Sequence, residues 1–302
     1  MFKRLFSKST TIPVLRLSGI ISSQSGLTGS GLAINNLEKL IDKLFAEKKS
    51  PVVGLIINSP GGSPTQSSLI AKRIIDLAKE KNKKVLAFVE DVAASGGYWL
   101  ACAADEIYID QNSVIGSIGV ISPGFGFVDL LKKVGIERRV YTSGKSKSFL
   151  DPFKEEKQED IDRLKNIQEQ IHDNFINYVK DRRGSKLDQN KLDDIFSGLF
   201  WVGNKAIDLG LADGIGAIKP ILEEKFGKKI KIKMISQKKS FLQRRFSSFP
   251  RYKNFSIFRK NYFSILLFFG FTPPHQATIF TPISRKILNK YSTKYKLSAD
   301  LD

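Results

Sequence analysis

Asp91-Val92-Ala93-Ala94-Ser95-Gly96-Gly97-Tyr98-Trp99-Leu100 passes from strand-like to helix-like residues through one serine and two glycines. Small residues around Ser95 let other backbone come close, and its hydroxyl at a strand-to-helix junction projects into a cleft beside the Gly96 N–H. Upstream, the apolar run Val52 to Ile57 ends in Asn58-Ser59-Pro60-Gly61-Gly62, a glycine turn with N–H groups suited to a developing oxyanion. The two segments read as halves of one site, with Ser95 as nucleophile. From Ala-Ser-Gly-Gly alone, close helix packing with an idle hydroxyl explains the residues equally well.

Strand and helix alternate outward from these turns. Ile12 to Ile21 reads as a strand, and Leu37, Leu40, Ile41 and Leu44 mark one face of a helix. Val52 to Ile57 is a buried strand, Ser68 to Leu77 a helix, Val85 to Val89 a strand and Tyr98 to Ala104 a helix. Glu106 to Ile109 continues as a strand, followed by the glycine-rich Ile115-Gly116-Ser117-Ile118-Gly119-Val120, a helix near Leu130 to Val134 and a strand near Arg139 to Thr142. Pro152 to Arg183 carries Ile161, Leu164, Ile167, Ile171, Phe175 and Val179 at helical intervals and reads as one long helix. Helical units at Leu192 to Ile195 and Lys205 to Leu209 precede a last strand, Ile230 to Ile235. Such alternation predicts an α/β domain of parallel strands and crossover helices.

The 302 residues are 41% hydrophobic, enough for a substantial core. Cys102 is the single cysteine, excluding an intrachain disulfide, and lies in an apolar run that reads as core. With His172 and His275 the only histidines beside one cysteine, no metal site of ordinary spacing is expected. Met1 to Lys8 lacks the apolar stretch of a secretory signal, and Tyr262 to Phe271 is too short and interrupted to span a bilayer. The expected location is therefore cytoplasmic, or peripheral on the inner membrane.

Of the net charge of +19, the tail from Ser236 carries +11, from thirteen Lys/Arg against two Asp. Leu242, Phe246, Phe249, Tyr252, Phe255, Phe258 and Tyr262 recur there at steps of three or four among basic residues, a pattern suited to an anionic membrane surface. Pro250 divides it into two amphipathic pieces. The expected division is a segment 1–11, a catalytic domain 12–235 and a basic, aromatic tail 236–302.

A serine nucleophile needs a base. His172 lies in the long charged helix and His275 in the tail, neither well placed, whereas a lysine whose pKa burial lowers toward ~7–8 can serve. Lys147, in the loop Ser143-Gly144-Lys145-Ser146-Lys147-Ser148-Phe149-Leu150, is the preferred candidate.

In order, Asn-Ser-Pro-Gly-Gly, Ala-Ser-Gly-Gly-Tyr, Gly-Ser-Ile-Gly-Val and Ser-Gly-x-x-Lys match one family. From Ile12 to Ile235, with Phe200 to Ala206 and Leu209 to Asp213 near a closing motif, the chain resembles the signal peptide peptidase A, or protease IV, family of serine peptidases. The resemblance implies a Clp/crotonase-type fold of repeated strand-strand-helix units and a Ser95/Lys147 dyad, with Lys145 as the fallback base. Gly62 would be the oxyanion donor, with the Gly96 N–H beside it, and Ser117 would orient the lysine. It also implies apolar polypeptide substrates such as signal-peptide remnants, no cofactor or metal, and a homo-oligomer in which neighbouring subunits supply serine and lysine to one site. The dyad uses a neutral amine, and Phe149 and Leu150 suit its shelter from water. The membrane-spanning helix with which such proteins commonly begin has no counterpart here. Two other readings compete: a crotonase-like acyl-CoA enzyme, which needs no dyad, and a basic binding protein. The tail has no recognisable nucleic-acid module, so nucleic acid is not the expected partner.

Overall fold

The computed structural model describes residues 10–23, 25–26, 29–144 and 146–236, all within one compact unit. Lys145, the segment 1–9 and the basic tail from 237 onward lie outside the described residues. The chain opens with β1 (Thr11–Ser18), the short pair β2 (Ser25–Gly26) and β3 (Gly29–Ser30), and α1 (Ile34–Phe45). β4 (Val52–Ser59), α2 (Pro64–Glu80), β5 (Lys84–Ala94) and α3 (Gly96–Ala101) follow, then β6 (Glu106–Ile109) and β7 (Val114–Gly116). After α4 (Val128–Val134) come α5 (Gln158–Arg183), α6 (Leu192–Ile195), β8 (Phe200–Val202), α7 (Gly203–Asp208), β9 (Gly214–Ile215), α8 (Ile218–Phe226) and β10 (Lys231–Ile235).

The principal sheet runs β10-β1-β4-β5-β6-β9 with every adjacent pair parallel. β4 is buried at seven of its eight positions, as a strand covered on both faces must be. One face packs on α1, α2 and α3, and the apolar stripe Leu37, Leu40, Ile41 and Leu44 of α1 enters that core. Each of those side chains contributes roughly 1.5–3 kcal/mol of burial. The other face is narrower, with Ile12, Val14, Val52, Ile56, Leu86, Phe88 and Tyr108 covered by Leu222 of α8.

β5 is the hinge of the architecture. Its first half pairs with β6, Leu86–Phe88 against Glu106–Tyr108, and its last three residues pair instead with β7. Against β4 the register jumps from Ile57↔Val89 to Ser59↔Ala93, so β5 holds two extra residues there and bends away. β8 then adds antiparallel to β7, extending the same sheet past the end of β5. With the parallel strands and covering helices, this is the α/β domain on a central sheet that the alternation of strand and helix predicted.

The expected strand at Arg139 to Thr142 does not form: among the described residues no strand pairs with it, and Tyr141 is 90% exposed. The long helix begins at Gln158 rather than Pro152. Cys102 is buried, as its apolar surroundings suggested, and burial pushes its thiol up to about 12. Among the described residues no helix is long and apolar enough to cross a membrane.

Candidate active site

β5 delivers the serine. After Ala94 pairs with Gly116 the backbone turns at Ser95 with φ 51° and ψ −122°, and α3 starts at Gly96. Positive φ is uncommon for a residue with a Cβ and costs on the order of 1–3 kcal/mol, so it persists only where the surroundings impose it. Here the Ser95 N–H donates to the Gly116 carbonyl at 2.8 Å, and the Ser95 carbonyl accepts from the Tyr98 and Trp99 N–H groups at 2.9 and 3.0 Å. Ser95 stays half-buried between the buried Ala94 and Gly96, a serine held rigidly yet open to solute.

The glycine turn after β4 lies against it. The fully buried Ser59 side chain accepts from the Gly61 N–H at 3.2 Å. The Gly61 carbonyl accepts from Ile21 N–H, and Ser63 N–H donates to the Ile21 carbonyl, both at 2.8 Å. Gly61 and Gly62 adopt φ 103° and 142°. A Cβ on Gly61 would stand 2.8 Å from the Gly96 nitrogen and 2.9 Å from the Ser95 Cβ, so the two loops touch and only glycine fits between them.

Among the described residues, neither the Gly62 nor the Gly96 N–H has an acceptor. Gly62 immediately precedes Ser63, the N-cap of the seventeen-residue α2, and Gly96 opens α3. Helix N-termini carry partial positive charge, so both unspent donors sit where an anion is favoured.

Ser117 is the third fixed point. Its φ is 53°, its N–H donates to the Leu199 carbonyl at 2.7 Å, and it follows Gly116, whose carbonyl holds Ser95. Leu199, beside β8, and His172, whose Nε2 lies 2.9 Å from the Ile118 carbonyl oxygen, are contributors that sequence reasoning missed. No motif marks either; sheet pairing and helix docking bring them in.

Thus Ser95, Gly96, Gly62 and Ser117 are brought together within one chain. Lys147 is not. It is exposed in a turn of the segment from 119 to 157, an arm in which no described residue is buried. Among the described residues, the arm's hydrogen bonds and ion pairs stay within 119–161: Phe127 N–H to the Pro152 carbonyl, Arg138 to Asp151, Leu150 N–H to Asp160. Phe127 stacks on Phe153, and the Arg138 guanidinium lies over the Phe153 ring. Ile121, Phe125, Leu130, Val134 and Ile136 meanwhile stand 54–81% exposed.

The model of Peptidase family S49 matches residues 77–230. A protein of Brucella abortus named Na(+)/H(+) antiporter NhaA is 51% identical over 243 residues, covering 80% of this chain and 33% of the antiporter. The probable protease SohB of Haemophilus influenzae is 32% identical over 224 residues, covering 74% of this chain and 60% of its own. The putative signal peptide peptidase SppA of Enterococcus faecium is 32% identical over 183 residues, covering 61% and 52%. The chain therefore spans only about a third of the antiporter's length and about half or more of the two proteases. Among solved structures, a membrane-bound stomatin-specific protease in complex with a substrate peptide aligns with TM-score 0.47 and 15% identity over 80% of this chain and 98% of its own. From the family match, the chain belongs to Peptidase family S49, the serine peptidases of the signal peptide peptidase A and protease IV type.

Proposed function

We propose that the protein is a serine endopeptidase whose Ser95 is deprotonated by Lys147, acting on apolar polypeptide such as signal-peptide remnants. The observation that carries the reading is the left-handed Ser95 with the Gly61–Gly62 turn pressed against it and two N–H donors unspent. In the acylation step the Lys147 amine takes the Ser95 hydroxyl proton as Oγ bonds to the scissile carbonyl carbon. The oxyanion receives the Gly62 and Gly96 N–H groups, a contribution worth about 10²–10³ in kcat for one such donor. As the C–N bond breaks, the lysine returns its proton to the leaving amine; water then hydrolyses the acyl-enzyme by the same route. Ser117 orients the lysine.

The lysine comes from a neighbouring copy. Two features support this: Lys147 lies exposed on an arm whose hydrogen bonds and ion pairs, among the described residues, reach no further than the start of α5, and that arm presents apolar side chains of the kind that a subunit interface covers. Seating on a neighbour would take the amine out of water and complete the site. The basic tail, outside the described residues, would hold the assembly at an anionic membrane surface.

Transport is the less favoured reading. The antiporter name belongs to relatives three times the matched length, and among the described residues no helix could cross a membrane. The matched part carries the peptidase architecture instead.

The test is cleavage of a fluorogenic apolar peptide by the assembled protein. Ser95→Ala and Lys147→Ala should each abolish turnover with assembly intact, and mixed oligomers of the two inactive variants should regain activity. Undiminished cleavage by Ser95→Ala would refute the mechanism; failure of the mixture to recover, with mixing demonstrated, would place serine and lysine in one chain.

A further inference from the structure

We propose that His172 is a positioning residue: it holds the Ser117 turn in place and ties it to the helix that carries the arm. The inference rests on the peptidase reading above. A carbonyl oxygen only accepts, so the 2.9 Å contact to Ile118 requires hydrogen on Nε2 of His172. Both the Nε2–H tautomer and the imidazolium meet that condition.

The turn needs the clamp. Ser117 has a left-handed backbone, which persists in a non-glycine residue only where its neighbours over-determine it. Gly116 before it is held by the Ser95 N–H, and Ser117 itself by the Leu199 carbonyl. The third bond, on Ile118 after it, comes from a side chain of α5 rather than from the sheet. Without His172, the turn's remaining anchor on that side is the packing of the fully buried Ile118.

The position of His172 along α5 gives the clamp a second consequence. Among the described residues of that helix, none from Gln158 to Ile171 is buried; the first buried side chain is Phe175, about one turn after His172. Beyond it the helix is fixed to the body. Phe175 and Tyr178 stack on Trp99 at 4.7 and 4.9 Å, and Arg182 donates to the carbonyls of Cys102, Ala103 and Ala104 just past α3. Before it the helix leads out to the arm, where the Ile161 N–H donates to the Lys157 carbonyl. His172 thus sits at the boundary between the fixed and the uncovered half, and it gives the arm a second link to the Ser117 turn besides the chain itself at Gly119.

The test compares the full-length oligomer with His172→Ala and His172→Gln, whose amide N–H can reach the same carbonyl. The expected result is a loss of about 10- to 100-fold in kcat for the alanine variant, with KM, assembly and unfolding midpoint unchanged, and most of the rate restored by glutamine. Amide hydrogen exchange across residues 116–119 should quicken in the alanine variant and slow again in the glutamine variant. Wild-type kcat and unchanged exchange in His172→Ala would overturn the proposal, as would equal losses in both variants with a lowered unfolding midpoint, which would make His172 a packing residue. A wild-type oligomer that neither cleaves peptide nor is labelled at Ser95 by a fluorophosphonate would refute the peptidase reading instead, and the exchange measurement would still decide the role of His172.

Discussion

The sheet body and the arm obey opposite rules. From β1 to Ile118 the strands bury their apolar side chains, and the serine, the glycine turn and Ser117 are each fixed by hydrogen bonds inside the chain. From Gly119 to Lys157 no described residue is buried, yet Ile121, Phe125, Leu130, Val134 and Ile136 are as apolar as the core. A stretch that spends large side chains on water gains stability only when another surface covers them. The nucleophile therefore lies in the region that is complete by itself, and the candidate base in the one that is not.

That contrast breaks first at the arm. If copies assemble through the arm as proposed, Leu130→Asp combined with Val134→Asp should dissolve that assembly and lower peptide cleavage by about 10²–10⁴-fold, the worth of a general base. The unfolding midpoint of the body should not move; sedimentation and calorimetry would show it. An assembled, active double variant would mean that the arm's apolar face covers nothing.

The body should respond in the reverse sense. Arg183, 2% exposed, donates to the Gly210 carbonyl and the Asp213 carboxylate. Arg183→Met should cost about 1–3 kcal/mol of stability in urea titration, because the buried Gly210 carbonyl loses its donor and Asp213 keeps only Lys186 and the Ile107 N–H. Burial alone would raise the Asp213 carboxyl, but the Arg183 hydrogen bond and charge, with Lys186, hold it below its ordinary value. A depressed carboxylate stabilises the fold above its unfolded pKa near ~3.9 and loses that contribution as pH falls through the lower folded value. Asp213→Asn should flatten this part of the acid-unfolding curve.

The smallest effect sharpens the comparison. Cys102, fully buried and with its thiol pushed up to about 12, should resist a thiol reagent at neutral pH until the body unfolds. The double aspartate variant should protect it as well as wild type does; faster labelling there would show that the arm supports the core.

What the sequence disclosed follows the same division. β4, α2, β5 and α3 were legible because periodic apolar residues meet glycine turns at their ends, and the touching loops at Gly61 and Gly96 follow from residues with no Cβ. Val140, Tyr141 and Thr142 carry strand propensity, but a strand needs a partner, and among the described residues none adjoins them. β8 is three residues long, too short for a period to show, and it matters through one carbonyl, that of Leu199 beside it. His172 could be seen as a histidine in a charged helix; that it meets Ile118, 54 residues earlier, is a property of docking.

The parallel neighbours of β1 set the order in which the chain can be made. Its partner on one side, β4, begins at Val52, but its partner on the other, β10, begins at Lys231. At ~5–20 residues per second a ribosome needs on the order of 10–40 s to supply the strands and helices between them. Throughout that interval β1 presents an open edge, and Ile12 and Val14 wait for Leu222 to cover them. Until β10 emerges, the nascent chain carries an unpaired strand edge beside uncovered apolar side chains, the combination that invites edge-to-edge aggregation.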